Sequence, residues 1–269
     1  MTRRASTTRA IDKLLDQATA IWDNAPTPEE TAYMARQLVQ ATLPHSDPGD
    51  VALWTRRNGN LTLGIQPGVD FKTGKSYGIP YGSIPRLLVC FITTEATTSK
   101  SRRIELGQNM AEFMREIGLD SYTGGGKRSD AARLKEQMTR FFHARLSFLY
   151  EQQTAAQGIS DQRDMLVAER HVDWWDKSNP RQGALWGSFI ELTERFFQAI
   201  TAAPVPLDLR ALKALKRSPL ALDLYVWLSY EAHRVQRTGK SRFVAWSLLM
   251  QQLGTDYTCL LYTSDAADE

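Results

Sequence analysis

The residues Gly118 to Phe142, GLDSYTGGGKRSDAARLKEQMTRFF, concentrate the groups in this chain best suited to hold a phosphate: three consecutive glycines, then Lys-Arg-Ser, then a helical pattern. Two chemistries fit that composition, a loop that cradles a nucleotide and a turn that leads a basic helix onto DNA. The nucleotide reading requires Gly, four residues, then Gly-Lys-Ser/Thr. Counting back from Gly126-Lys127 puts Ser121 where the first glycine belongs, and Arg128 stands where the Mg²⁺-binding hydroxyl belongs. A helix-like segment, not a buried strand, leads into the turn. Other chemistry lacks its residues. His45, His143, His171 and His233 are scattered, with no His-x-His or His-x-x-x-His pair to hold a metal. No Gly-x-Ser-x-Gly elbow occurs. The two cysteines, Cys90 and Cys259, have no metal-ligand spacing, and Cys90 lies in an apolar run where it reads as a small core residue. No catalytic constellation, metal site or cofactor site is expected.

The elements that must position the Gly-rich turn follow from hydrophobic spacing. Residues Thr27 to Leu43 carry Met34, Leu38 and Ala41 at helical intervals. VALWTRRNGNLTLGIQ predicts a β-hairpin with Asn58-Gly59 as its turn, and the Gly/Pro density from Pro67 to Pro85 predicts a long loop. Beyond that lies an internal repeat. Shifted by 136 residues, the segment from Pro85 to Asp120 lies on that from Ala221 to Asp256 without a gap. Leu88 meets Leu224, Glu95-Ala96 meets Glu231-Ala232, and Met114, Gly118 and Asp120 meet Met250, Gly254 and Asp256. Each copy predicts a helix (Ile84 to Thr98, or Ser218 to Arg234), a short extended stretch, and a short second helix. The apolar stripes of the short helices are Met110, Phe113, Met114, Ile117 and Trp246, Leu249, Met250, Leu253. A glycine closes each.

In the first copy a third helix follows, capped by Ser129, with Leu134, Met138 and Phe141 on its inner face. Short helix, turn, second helix is the helix-turn-helix pattern. ARLSFLYEQ then reads as a strand, QTAAQGISDQRD as a polar turn, and MLVAERHVDWW as the returning strand of a wing. ALWGSFIELTERFF adds strand-like material, and PLDLRALKALKRSP opens the second copy. The fold class expected is α+β with tandem winged-helix domains. The expected boundaries are residues 1–45 as a basic helical segment, 46–203 as the first domain, 204–257 as an incomplete second domain, and 258–269 as a non-native tail. On the third helix, Ser129, Arg133 and Arg140 point away from the apolar face, Gln137 lies at its border, and Lys127 and Arg128 sit at the entry. These six are the candidate DNA-binding residues, since a guanidinium suits phosphate or guanine and a helix N-terminus favours anions. From Ser121 to Arg145 there are six Lys/Arg against two Asp/Glu. Glu136 also faces outward, toward a cytosine or a neighbouring arginine.

The whole chain adds weaker constraints. Its 269 residues, 42% hydrophobic and 23% charged, suffice for about two globular domains. A net charge of +3 is compatible with nucleic acid without arguing for it. No apolar run approaches a membrane span, no disulfide framework is visible, and the N-terminus lacks the apolar region of a secretory signal. A cytoplasmic protein is expected.

YGSIPRLLVCFITTEATTSKSRRIELGQNMAEFMREIGL, the Gly-rich turn with LKEQMTRFFHARLSF, and SPLALDLYVWLSYEAHR together resemble the plasmid-encoded RepA replication initiators. The resemblance covers Asn60 to Tyr257. It implies a cytoplasmic initiator with tandem winged-helix domains and no catalytic centre. Such a protein binds repeated double-stranded sites at a plasmid origin and recruits host replication proteins; a second copy of the chain is a further candidate partner. It implies that Lys127 to Arg140 is the DNA-reading segment. The alternatives are a winged-helix repressor without a replication role and an origin-nicking enzyme using Tyr150 or Tyr122. The family pattern departs after Tyr257, where a second basic helix is expected. Instead Cys259 to Glu269, CLLYTSDAADE, resemble a translated transposon-end sequencing adapter.

Overall fold

The structure, a computed structural model, describes residues 2–119, 129–153, 158–172 and 188–254. The chain opens with helix α1 (Thr2–Asp23) and a 3-10 turn (Pro28–Glu30). Strand β1 (Thr31–Met34), helix α2 (Arg36–Gln40) and the hairpin β2 (Trp54–Asn58) and β3 (Leu61–Gln66) follow. Next come α3 (Ser83–Ser99), β4 (Arg103–Glu105), α4 (Met110–Glu116) and α5 (Asp130–Phe142). Strands β5 (Arg145–Gln153), β6 (Gly158–Leu166), β7 (Ala168–Val172) and β8 (Phe189–Leu192) lead to α6 (Glu194–Thr201). The remaining described elements are β9 (Val205–Asp208), α7 (Leu209–Leu215), α8 (Pro219–Thr238) and α9 (Trp246–Leu253).

The fold is mixed α/β with antiparallel sheets. Among the described residues, strands β2, β3, β5 and β6 form one sheet in that order, β4, β8 and β7 form a second, and β1 and β9 form a two-stranded pair. Helix α3 lies at the centre. Its sequence SIPRLLVCFITTEATTS is apolar on more than one face because it packs against β1, α5, α6 and α8 together. Ile84, Leu87, Leu88, Val89, Cys90, Ile92 and Ala96 are all buried. Burial pushes the Cys90 thiol up to about 12, so it stays protonated and serves as packing volume.

Several expectations are corrected by tertiary partners. Residues Thr31–Met34, read as helical, form β1 because β9 supplies a ladder from Thr31↔Asp208 to Met34↔Val205. Only α2 keeps the helical reading. The hairpin turn lies one residue later than expected: Asn58 pairs with Leu61, leaving Gly59-Asn60 as the loop, with Gly59 at φ 56°. One positive φ at the first loop position is the type II′ arrangement. Residues Gly158 to Asp164, read as turn, form most of β6, paired with β5 from Arg145↔Leu166 to Gln153↔Gly158. Their polarity reflects an exposed edge strand, not a loop. The β5–β6 hairpin joins β3, whereas the strand next to α3 in sequence, β4, pairs with β8. Residues from Glu194, read as strand-like, form α6, capped by Thr193.

The internal repeat has a structural counterpart. A shift of 136 carries α3 onto α8 and α4 onto α9, and Gly118 and Gly254 both close their helices at positive φ, 83° and 62°. Helix α8 runs to Thr238, and the stretch equivalent to β4 forms no strand. Burial also differs. Ile92, Met110 and Met114 are 0%, 7% and 2% exposed, while their equivalents Leu228, Trp246 and Met250 are 57%, 74% and 36% exposed. In the first copy α5 packs against both α3 and α4.

Candidate nucleic-acid interface

Helix α5 is held by an amphipathic sequence. Ser129 accepts a hydrogen bond from the Ala132 N–H at 3.2 Å, and Asp130 places a carboxylate in the first turn, where the helix dipole favours it. Leu134, Met138 and Phe141 are buried as expected, with Phe142 beside them. Phe141 meets Phe196 of α6 edge-on at 6.3 Å. On α4, Asn109 caps the helix by accepting from the Glu112 N–H at 2.9 Å, a cap that the sequence reading passed over.

The solvent side of α5 is divided. Arg133 is exposed, with one Nη 3.4 Å from Asp130 Oδ1. Lys135, absent from the six candidates, is exposed one position past Leu134. Gln137 is buried, and its Oε1 accepts the Tyr81 N–H at 2.9 Å. Arg140 is largely covered: it donates to the Ile79 carbonyl at 3.1 Å, pairs with Glu136 at 2.8 Å and Asp47 at 3.3 Å, and lies over the Tyr81 ring at 5.0 Å. Glu136 therefore pairs with a neighbouring arginine. Burial raises the Tyr81 hydroxyl above its ordinary pKa, with the Asp47 and Glu136 charges acting in the same direction. Lys127 and Arg128, like the Gly-rich turn, lie outside the described residues.

Gln137 and Arg140 thus seat the segment 77–82 on α5. The approach is close enough to need glycine: a Cβ on Gly78, at φ 83°, would stand 2.7 Å from an Arg140 Nη. A Cβ on Gly68 would stand 2.4 Å from the His143 Cβ. Two of the four histidines scattered in sequence meet here. His143 lies against Tyr77 with ring centroids 4.5 Å apart and the planes tilted by 39°, and meets His171 edge-on at 4.7 Å.

Among the described residues no group of three or more His, Cys, Asp or Glu could hold a metal ion, and no helix is long and apolar enough to cross a membrane.

These elements define a mixed α/β protein that sets helix α5, with Arg133 and Lys135 exposed, on a support of α3 and α4. The family model for plasmid-encoded RepA protein matches residues 79–247, more than half of the chain, and the chain belongs to that family of replication initiators. Among solved structures, the chain is similar to a selenomethionine form of domains 2 and 3 of RctB, with a TM-score of 0.44 and 10% identity over 83% of this chain and 78% of that one. A second crystal structure of RctB domains 2–3 gives a TM-score of 0.42 and 11% identity over 85% and 79%. The chain matches no curated protein.

Proposed function

We propose that the chain is a plasmid replication initiator that binds repeated duplex DNA sites at an origin through a winged-helix unit and is not an enzyme. The observation that carries this reading is the family match from residue 79 to 247, which spans α3, β4, α4 and α5 together with the repeat equivalent α8 and the first two residues of α9. The unit comprises α3, β4, α4 and α5 with the sheet β4–β8–β7, and the wing is the β7–β8 pair in place of the pairing of residues 144–152 with 165–175 expected from the sequence. Helix α5 enters the major groove, with Arg133 and Lys135 reaching phosphate or base edges. Repression of its own promoter, recruitment of host replication proteins, self-association and a cytoplasmic location belong to the same reading.

Plasmid maintenance tests it. A plasmid carrying only the DNA that flanks the gene is introduced into a host with the gene supplied in trans. Maintenance that depends on the gene supports an initiator. A silenced promoter without maintenance supports a repressor instead. Metal-dependent nicking of the supercoiled plasmid by the protein would support an enzyme.

A further inference from the structure

We infer that the loop Val69–Ser76 is a second DNA-contacting element, a finger beside α5 in which Lys72 and Lys75 grip phosphates and Phe71 wedges against a base step. The inference rests on the DNA-binding reading of α5 and adds to it a site that the recognition helix does not supply.

Phe71 is 99% exposed at the tip of this loop. Burying nothing, a phenylalanine there contributes nothing to the fold, and single exposed apolar residues are common enough to need no account. This one differs because its backbone is held. Val69 and Ser76 form a β-bridge, Asp70 N–H donates to the Lys75 carbonyl at 2.8 Å, and Gly74 N–H donates to the Asp70 carbonyl at 2.7 Å. The Asp70 carboxylate accepts from the Lys72 N–H at 2.9 Å and the Thr73 hydroxyl at 2.9 Å. The one acidic side chain of the loop is therefore turned onto the loop itself, while Lys72 and Lys75, both following Phe71, are exposed.

The base of the finger is fixed to the C-terminal half of α5. Tyr77 N–H donates to the Gly68 carbonyl at 2.9 Å, closing the loop where Gly68 crosses His143 and the Tyr77 ring lies against it. Arg140 holds the Ile79 carbonyl just beyond. The nearby acids Asp47 and Glu136 are both paired to Arg140, so they do not neutralise the two lysines directly. An exposed apolar side chain followed by two exposed lysines on a held loop is a composition suited to wedging at a base step and bending a duplex. Gln137 and Arg140, both among the DNA-binding candidates read from the sequence, hold the segment just beyond this finger.

The test uses duplexes that the full chain selects from a random pool, labelled at both ends for energy transfer. Affinity is measured at several salt concentrations for the parent, Lys72→Ala/Lys75→Ala, Phe71→Ala and Arg133→Ala. The lysine pair is expected to flatten the slope of log affinity against log salt by about two units. Phe71→Ala is expected to weaken binding about tenfold, leave the slope unchanged, and reduce the bend. Phe71→Trp should restore the bend and show indole quenching on stacking. All three positions are exposed, so unchanged melting curves exclude misfolding. If the parent binds and Arg133→Ala weakens it while every loop variant binds and bends like the parent, the finger is overturned and the α5 reading stands. If the parent selects no duplex, both are overturned.

Discussion

Arg86 of α3 and Asp223 of α8 form a buried two-bond pair, Nε to Oδ1 at 2.7 Å and Nη2 to Oδ2 at 2.8 Å, that ties the two copies of the repeat together. The remaining donors of Arg86 reach the carbonyls of Leu43 at 2.6 Å, Pro44 at 3.1 Å and Gly82 at 2.7 Å, and His45 Nε2 lies 2.8 Å from Asp223 Oδ2. The guanidinium is thus fully satisfied, the condition under which a buried charge is tolerated. Removing Asp223 leaves the Arg86 charge buried without its countercharge. Asp223→Ala is expected to destabilise the chain by about 3–5 kcal/mol, read from urea unfolding. A loss below about 1 kcal/mol would show that the pair is solvated or readily rearranged.

The same carboxylate makes a pH prediction. Burial alone would raise its pKa, but the Arg86 charge and the hydrogen bonds from His45 and Arg86 outweigh burial and hold it below the ordinary value. A depressed folded pKa means that the contribution is present above the unfolded carboxylate value, about 3.9, and is lost as pH falls through the folded value. Stability of the parent should therefore drop below about pH 4. Asp223→Asn should be less stable at neutral pH and show a shallower acid limb. Parallel pH profiles would separate Asp223 from acid unfolding.

Arg140 and Arg133 are expected to fail differently. Arg140→Ala removes a charge-assisted hydrogen bond to Ile79 and the contact with Tyr81, and should lower stability by about 1–3 kcal/mol. Arg133→Ala removes only an exposed pairing with Asp130, and its stability should change by less than about 0.5 kcal/mol. If Arg140→Ala melts like the parent, the seating role of Arg140 is wrong.

Met114→Ala and Leu134→Ala open cavities between α3, α4 and α5 and should each lower stability by about 2–5 kcal/mol in chemical denaturation. Their repeat equivalents give the contrast. Leu228→Gln and Trp246→Gln lie on an open face and should change stability by less than about 0.5 kcal/mol while raising solubility, whereas Ile92→Gln should unfold most of the chain. Equal losses at Ile92 and Leu228 would mean that the second copy is covered as the first is.

The legible part of the fold was the part set by local periodicity. Helices α3, α4, α5, α8 and α9, the Ser129 cap and the closing glycines follow from spacing and caps within a dozen residues. What escaped was decided by distant partners. Thr31–Met34 has helical spacing, but β9 claims it. The β6 residues are polar because one sheet edge meets water, which mimics a loop. Within the candidate interface, the wheel placed Arg133 correctly on the solvent side. It could not show that residues 77–82 lie across Gln137 and Arg140, because that cover comes from an irregular segment with no period of its own. The acid that pairs with Arg86 lies beyond any local pattern as well.

The most direct measurement is a salt-dependent binding titration of the full chain against any repeats found in the DNA that flanks its gene and against random duplex of equal length. The parent should prefer the repeats by at least about a thousandfold, with affinity falling steeply as salt rises. Arg133→Ala should either flatten the salt slope by about one unit or relax the preference, at unchanged stability. Equal affinity for repeats and random duplex, with Arg133→Ala indistinguishable from the parent, would contradict the assignment of α5 as the DNA-reading helix.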